Sequence, residues 1–215
     1  MAASPGGGRG GDLRAALWPY FAVLAISAAL LLWGDGGLVA VRVAEGLIVV
    51  VGAVGLAARG RESAALFGAP RLGLRTAAIA LGGTAVAFGL AQLLMLAAGT
   101  LDQELAAAYR AQGLGLAVLL ADGALLPALG EELVFRGLVL GGLQRLASPR
   151  NAILVSAFFF ATIHLSPISF AHLFVMGLVL GWARVATGTL WPSIVLHAAY
   201  NAAVLLQAWL SAPGS

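Results

Sequence analysis

The sequence contains no cysteine and no lysine. Without cysteine, the chain can form no disulfide and has no thiolate for catalysis or for binding zinc or iron–sulfur clusters. Without lysine, it can form no Schiff base with retinal, pyridoxal phosphate or a carbonyl substrate. All twelve basic residues are arginines. They stand beside apolar runs, where they orient helices in a membrane, and they give no indication of nucleic-acid binding.

Charged residues are also scarce. They make up 10% of the chain, whereas an ordinary soluble domain has about 25%. Hydrophobic residues make up 61%, and the mean hydropathy is +0.98. So many apolar residues, arranged in long runs, exceed what one aqueous core can hide. The composition therefore predicts an all-α protein, a polytopic transmembrane helical bundle, surrounded by the lipid bilayer.

The apolar runs set the expected number of helices. The fourth run would extend about 50 Å as one helix, which exceeds the roughly 30 Å hydrocarbon core. Pro127 lies in its middle and predicts a kink there or a division into two helices. We therefore expect seven or eight helices, from runs at 17–33, 38–58, 76–98, 114–146, 152–168, 170–185 and 191–210.

The chain is predicted to hold one domain. Residues 1–14 are expected to form a disordered N-terminal tail, and 15–215 a single transmembrane domain with the chemically informative motifs in 114–210. Arginines precede the first run and fill alternate connections, which predicts a cytoplasmic N-terminus. The arginine-only composition, rich in Ala, Gly and Leu, is typical of a bacterial chain, so we expect the bacterial inner (plasma) membrane.

Ionisable residues inside the apolar runs are costly, by about 2.5 to 3.5 kcal/mol each, so their positions are informative. Glu132 and Arg136 are four residues apart and can form an ion pair on one helix face. Glu131 then remains without a local cation, as a general base requires. The alternative is a charged cluster whose side chains extend to the cytoplasmic surface.

Two further polar pairs have helical spacing. His197 and Asn201 are four apart, as are Phe160 and His164. Each pair alone could equally be hydrogen-bonding contact between helices. Glu131 and His164 both lie about 22 Å from the same cytoplasmic connection, so they can face each other. His197 lies only about 14 Å along its own helix and needs a tilted helix or a recessed connection to reach that level.

A carboxylate with imidazoles and an amide suits activation of water and stabilisation of an oxyanion. Hydrolysis of a peptide bond inside the membrane follows as a hypothesis. The sequence lacks the motifs of other intramembrane proteases: it has no HExxH pair, no GxSG serine and no aspartyl signature. A glutamate-based mechanism or an unusual Glu/His metal site remains.

Three motifs in order resemble those of the CPBP intramembrane protease family, also called the Abi or CAAX-protease-like family. The run EELVFRG matches its EExxxR motif, FATIH its FxxxH motif and HAAYN its HxxxN motif. The resemblance covers about 114–210. It implies that Glu131 is the general base, that His164 helps to activate water and that His197 with Asn201 forms the oxyanion hole. Structural support is implied for Glu132, Arg136 and Phe160.

The resemblance also implies an endopeptidase that cuts a membrane-embedded or lipidated peptide or protein, near its C-terminus. No cofactor is required for this chemistry, although one Glu and two His could hold zinc, and we favour no metal. His172 matches no motif and is interpreted as an interfacial histidine. Two other functions stay open: a non-catalytic membrane immunity or scaffold protein of the same family, and a small ion-coupled transporter using a proton relay.

Overall fold

A computed structural model describes residues 9–33, 37–98 and 101–211, and these ranges contain helices and no strand. The fold class is therefore confirmed. Of the tail predicted over 1–14, residues 1–8 lie outside the described residues, and a helix begins at Arg9. The helices are α1 (Arg9–Trp33), α2 (Gly37–Ala58), α3 (Arg61–Ala64), α4 (Leu74–Ala98), α5 (Leu101–Ala111), α6 (116–143), α7 (Pro149–Thr162), α8 (Phe170–Thr187) and α9 (Trp191–Ser211).

Large apolar side chains cover the outside of the bundle. Leu32, Leu74 and Leu210 are 88%, 89% and 74% exposed, which suits contact with lipid chains and not with water. Among the described residues, five helical segments are long and apolar enough to cross a membrane. They are Asp12–Leu32, Gly37–Ala58, Leu74–Leu94, Phe170–Thr187 and Trp191–Ser211.

Helix α6 stays continuous where a division was one of the predicted outcomes. It contains two π-helical turns, Ala121–Leu125 and Leu133–Val139. The first of them comes directly before the α-helical segment Leu126–Glu132, in which Pro127 occupies the first turn. A widened turn accommodates the missing N–H of proline without ending the helix. Each of the seven predicted apolar runs therefore corresponds to one long helix.

Helix α5 was not predicted, because its sequence is too polar to read as a span. Its apolar side packs on the bundle, where Ala106 and Tyr109 are buried. The Tyr109 hydroxyl donates a 3.0 Å hydrogen bond to Asp122 Oδ2 on α6, and Arg42 Nε of α2 donates to the same oxygen over 2.7 Å. This polar cluster fixes α5 across one end of the bundle.

The opposite end of the bundle carries most of the arginines. Arg145 on α6 pairs with Glu62 on α3 at 2.5 Å, and Arg59 at the end of α2 donates to the carbonyl oxygens of Gly137 and Leu138. These contacts bring the helix ends of this side together. We call it the arginine-rich end; its described arginine side chains are Arg14, Arg59, Arg61, Arg71, Arg75, Arg145, Arg150 and Arg184.

The connection between α8 and α9 is recessed into the arginine-rich end. Thr187, Thr189 and Leu190 are buried there. The Leu190 N–H donates to the Leu66 carbonyl oxygen over 2.7 Å, and the indole N–H of Trp191 donates to the Phe67 carbonyl oxygen over 3.0 Å. Because the turn 65–67 covers this connection, α9 begins below the surface. This is the recessed connection that the position of His197 required.

Gly177 allows α7 and α8 to approach closely. A Cβ atom at this position would lie 2.9 Å from the Ala157 Cα atom, and both backbones belong to packed helices. Gly177→Ala is therefore expected to lower the free energy of unfolding by about 1 to 3 kcal/mol, as overpacking does. Denaturant titration in detergent micelles measures this loss.

Gly82→Ala is the matched control, because a Cβ atom there meets nothing within 4 Å and alanine favours a helix. We expect this variant to be as stable as the wild type or slightly more stable. Equal stability of the two alanine variants would contradict the tight packing of α7 on α8.

Candidate active site

A buried ion pair lies at the centre of the site. Arg136 NH1 on α6 is 2.9 Å from Glu132 Oε1 one turn earlier, and both side chains have no exposed surface. This pair was predicted from the spacing of the two residues. Arg136 also donates through NH2 to the Gly177 carbonyl oxygen on α8 over 3.2 Å. The guanidinium group therefore neutralises Glu132 and ties α6 to α8.

Glu132 also bonds to the ring of His197 on α9. The distance from His197 Nδ1 to Glu132 Oε1 is 3.0 Å, and both groups are buried. A carboxylate can only accept a hydrogen bond, so Nδ1 carries the proton. The opposite nitrogen, Nε2, then lies 4.0 Å from Glu131 Oε2. The imidazole thus stands between the two adjacent carboxylates, with one nitrogen toward each.

Phe160 on α7 is the apolar support of these groups. Its fully buried ring lies 4.3 Å from the Arg136 guanidinium carbon, a distance typical of a cation–π contact. The same ring touches His164 and His197 edge to face, with centroid distances of 5.3 and 5.5 Å. One aromatic side chain therefore contacts three of the polar residues that the sequence singled out.

The polar groups face a cavity of about 510 Å³. Glu131, His164, His197 and Asn201 all line it, so the structure brings together the four residues that were predicted to act chemically. The Oε2 atom of Glu131 is buried and accepts no hydrogen bond from any described residue. Glu131 therefore combines a place in the cavity wall with a carboxylate oxygen that makes no hydrogen bond to the described residues.

His164 lies just beyond the end of α7, which stops six residues before the predicted end of that run. The imidazole still reaches back to its own helix, because Nδ1 is 3.0 Å from the Phe160 carbonyl oxygen four residues earlier. A carbonyl oxygen only accepts, so Nδ1 of His164 donates and Nε2 keeps a free lone pair. The ring is thus fixed with an acceptor available to the cavity.

Two lining residues escaped the sequence reasoning. Glu45 on α2 lines the cavity, far from the motifs in sequence, and its Oε2 accepts no hydrogen bond from the described residues. An ionisable residue inside an apolar run was the signal that could have found it. His172, interpreted as interfacial, is buried instead, lines the cavity and stacks on Tyr200 at 6.4 Å. It lies in the first turn of α8, and its ring faces Tyr200 of α9.

The residues offer no ready metal site. Within 9–33, 37–98 and 101–211, no three His, Asp or Glu side chains are grouped so that they could hold a metal ion. His197 bonds to Glu132 through Nδ1, which leaves Nε2 as the ring nitrogen on the side of Glu131.

Comparison with known families agrees with this arrangement. Residues 111–203 match the family model described as type II CAAX prenyl endopeptidase Rce1-like. This segment is similar to that family, and we call it the Rce1-like domain. It contains all seven residues of the three sequence motifs, and the resemblance to the CPBP family is confirmed. No curated protein and no solved structure matches the chain at a significant level.

The stability of the Rce1-like domain depends on the pairing of its buried charges. Arg136→Gln would leave Glu132 as an uncompensated buried charge, and we expect a loss of about 3 to 5 kcal/mol in the free energy of unfolding. Adding Glu132→Gln should recover a large part of that loss, because no buried charge is then left alone. Denaturant titration of the three proteins in detergent measures both effects.

Arg145→Gln is the control, because its pair with Glu62 is solvent-exposed, with 60% and 69% of the two side chains accessible. Exposed pairs contribute little, so this variant should unfold like the wild type. A similar loss for Arg136→Gln and Arg145→Gln, or no recovery in the double variant, would be inconsistent with a paired charge at the centre of the site.

Proposed function

We propose that the chain is an intramembrane endopeptidase that hydrolyses a peptide bond with water activated by Glu131. The Rce1-like domain supports a protease of the CAAX type, and the apolar helices support a membrane setting with a protein substrate. The observation that carries the mechanism is the position of Glu131, which lines the cavity and whose Oε2, 4.0 Å from His197 Nε2, accepts no hydrogen bond from the described residues. An ionised carboxylate in that position can accept a proton.

The first step is the attack of water. Glu131 removes a proton from a water molecule in the cavity while the water oxygen forms a bond to the scissile carbonyl carbon. His164 orients that water, because its Nδ1–H is committed to the Phe160 carbonyl oxygen and its Nε2 can accept a hydrogen bond. The product of this step is a tetrahedral oxyanion.

The oxyanion needs hydrogen-bond donors, and His197 with Asn201 supplies them. His197 already donates from Nδ1 to Glu132, so it donates from Nε2 only when both nitrogens carry protons. Collapse of the intermediate breaks the C–N bond, and the proton held by Glu131 passes to the leaving amine.

The mechanism that we propose uses no metal ion. We further propose that the N-terminus is cytoplasmic, in a bacterial plasma membrane, because arginines concentrate at the end of the bundle where α1 begins. The helices before 111 belong to the same working unit, since Glu45 of α2 and Ala91 of α4 line the cavity with the Rce1-like domain.

Glu131→Gln tests the proposal, because it keeps the size of the side chain and removes its basicity. We expect at least a 10²-fold loss in kcat for a quenched-fluorescent membrane peptide library in liposomes, the range that a general base contributes. Glu62→Gln is the matched control, since it removes an exposed carboxylate at the arginine-rich end. It should cleave like the wild type.

The same assay with a strong chelator distinguishes the mechanisms. Wild-type cleavage that persists in chelator agrees with the proposal, and cleavage that chelator abolishes would move the site to metal chemistry. Cleavage that Glu131→Gln leaves unchanged would contradict Glu131 as the base. A phenotype that survives in Glu131→Gln cells would indicate the alternative function, a non-catalytic immunity or scaffold protein.

A further inference from the structure

The cavity lies toward one end of the bundle. Each of its lining residues comes from the end opposite the arginine-rich end or from the middle of a helix. Glu131 sits about midway along α6 and forms the floor with His197. The outer wall is formed by Glu45 near the start of α2, Leu94 near the end of α4, Leu105 of α5, and Ser166, Ile168 and Ser169 before α8.

The mouth of the cavity is at the connection between α7 and α8. His164 is exposed there although Glu131 and His197 behind it are buried. Ile168, which lines the cavity from the same connection, is 55% exposed. At the arginine-rich end, by contrast, the recessed connection and the turn 65–67 close the bundle, since Thr187, Thr189 and Leu190 are buried. Access from that end is therefore blocked.

The distribution of charge orients this mouth relative to the membrane. Among the eleven arginines whose side chains the structure describes, only Arg42 and Arg110 belong to the end that contains the mouth, and Arg136 is buried in the middle. Arg42 is also paired with Asp122. Arginine-rich connections stay on the cytoplasmic side during insertion. The mouth and the arginine-rich end are on opposite sides of the bundle.

We infer that the cavity opens toward the non-cytoplasmic side of the membrane, and that the substrate is a membrane-anchored polypeptide whose scissile segment has been translocated. The substrate class rests on the proposed endopeptidase function; the direction of the opening does not. A lipidated protein that stays on the cytoplasmic face would meet the closed end of the bundle. The protease therefore acts on exported chains, near the membrane–water interface on the non-cytoplasmic side.

Single cysteines test the direction of the opening, because the chain has none of its own. Gln112→Cys lies in the exposed turn after α5, Ile168→Cys lies at the mouth, and Ala69→Cys lies in the exposed segment at the arginine-rich end. The full-length variants are expressed in bacterial cells, and spheroplasts of these cells are treated with a membrane-impermeant maleimide before and after lysis. A cytoplasmic cysteine-containing protein that stays unlabelled before lysis is the control for intact membranes.

We expect labelling of Gln112→Cys and Ile168→Cys in intact spheroplasts, and labelling of Ala69→Cys only after lysis. The reverse pattern would overturn the inference, as would labelling of all three before lysis, which means that the chain inserts in both directions. Failure of Ile168→Cys to react even after lysis would overturn the position of the mouth. Labelling does not depend on protease activity. A wrong direction of the opening is therefore detected by labelling, and a wrong proposed function by the cleavage assay with purified protein in liposomes.

Discussion

The buried pair between Glu132 and Arg136 is the constraint on which the rest of the site depends. Two adjacent carboxylates in an apolar bundle are tolerable only if a cation offsets part of their charge, and Arg136 does so from one turn away. The same guanidinium group binds the Gly177 carbonyl oxygen and lies over Phe160, so it also joins α6 to α8 and α7. Neutralising one glutamate leaves the other free to face the cavity.

Backbone packing brings the third helix to the site. His197 reaches Glu132 because the connection before α9 is recessed, and that connection is held down by the hydrogen bond from Leu190 to the Leu66 carbonyl oxygen. The segment between α2 and α4 therefore contributes to the geometry of the site from a distance, by setting the level at which α9 begins. Helices outside the Rce1-like domain are therefore part of the site, because they close the arginine-rich end of the bundle and line the cavity.

Much of this could be predicted from the sequence, because intramembrane charge is rare and helical spacing is regular. The ion pair of Glu132 with Arg136 and the convergence of His164 with Glu131 follow from those two rules. What the sequence could not provide depends on long-range contacts. Helix α5 is attached to the bundle by the bond from Tyr109 to Asp122, an oxygen that Arg42 of α2 also binds, and Glu45 and His172 join the cavity through packing of helices distant in sequence. The π-helical turns, which keep α6 whole at Pro127, leave no local signature.

The central claim is that Glu132 holds His197 through Nδ1 and thereby directs Nε2 to Glu131 and the cavity. The chain has three histidines, so ¹⁵N-histidine labelling gives a spectrum simple enough to assign with one His197→Gln sample. NMR of the labelled protein in a membrane mimetic measures the state of Nδ1 directly. The account predicts a protonated, hydrogen-bonded Nδ1 at His197 whose signal shifts in Glu132→Gln. An unprotonated Nδ1, or a signal that Glu132→Gln leaves unchanged, would contradict it.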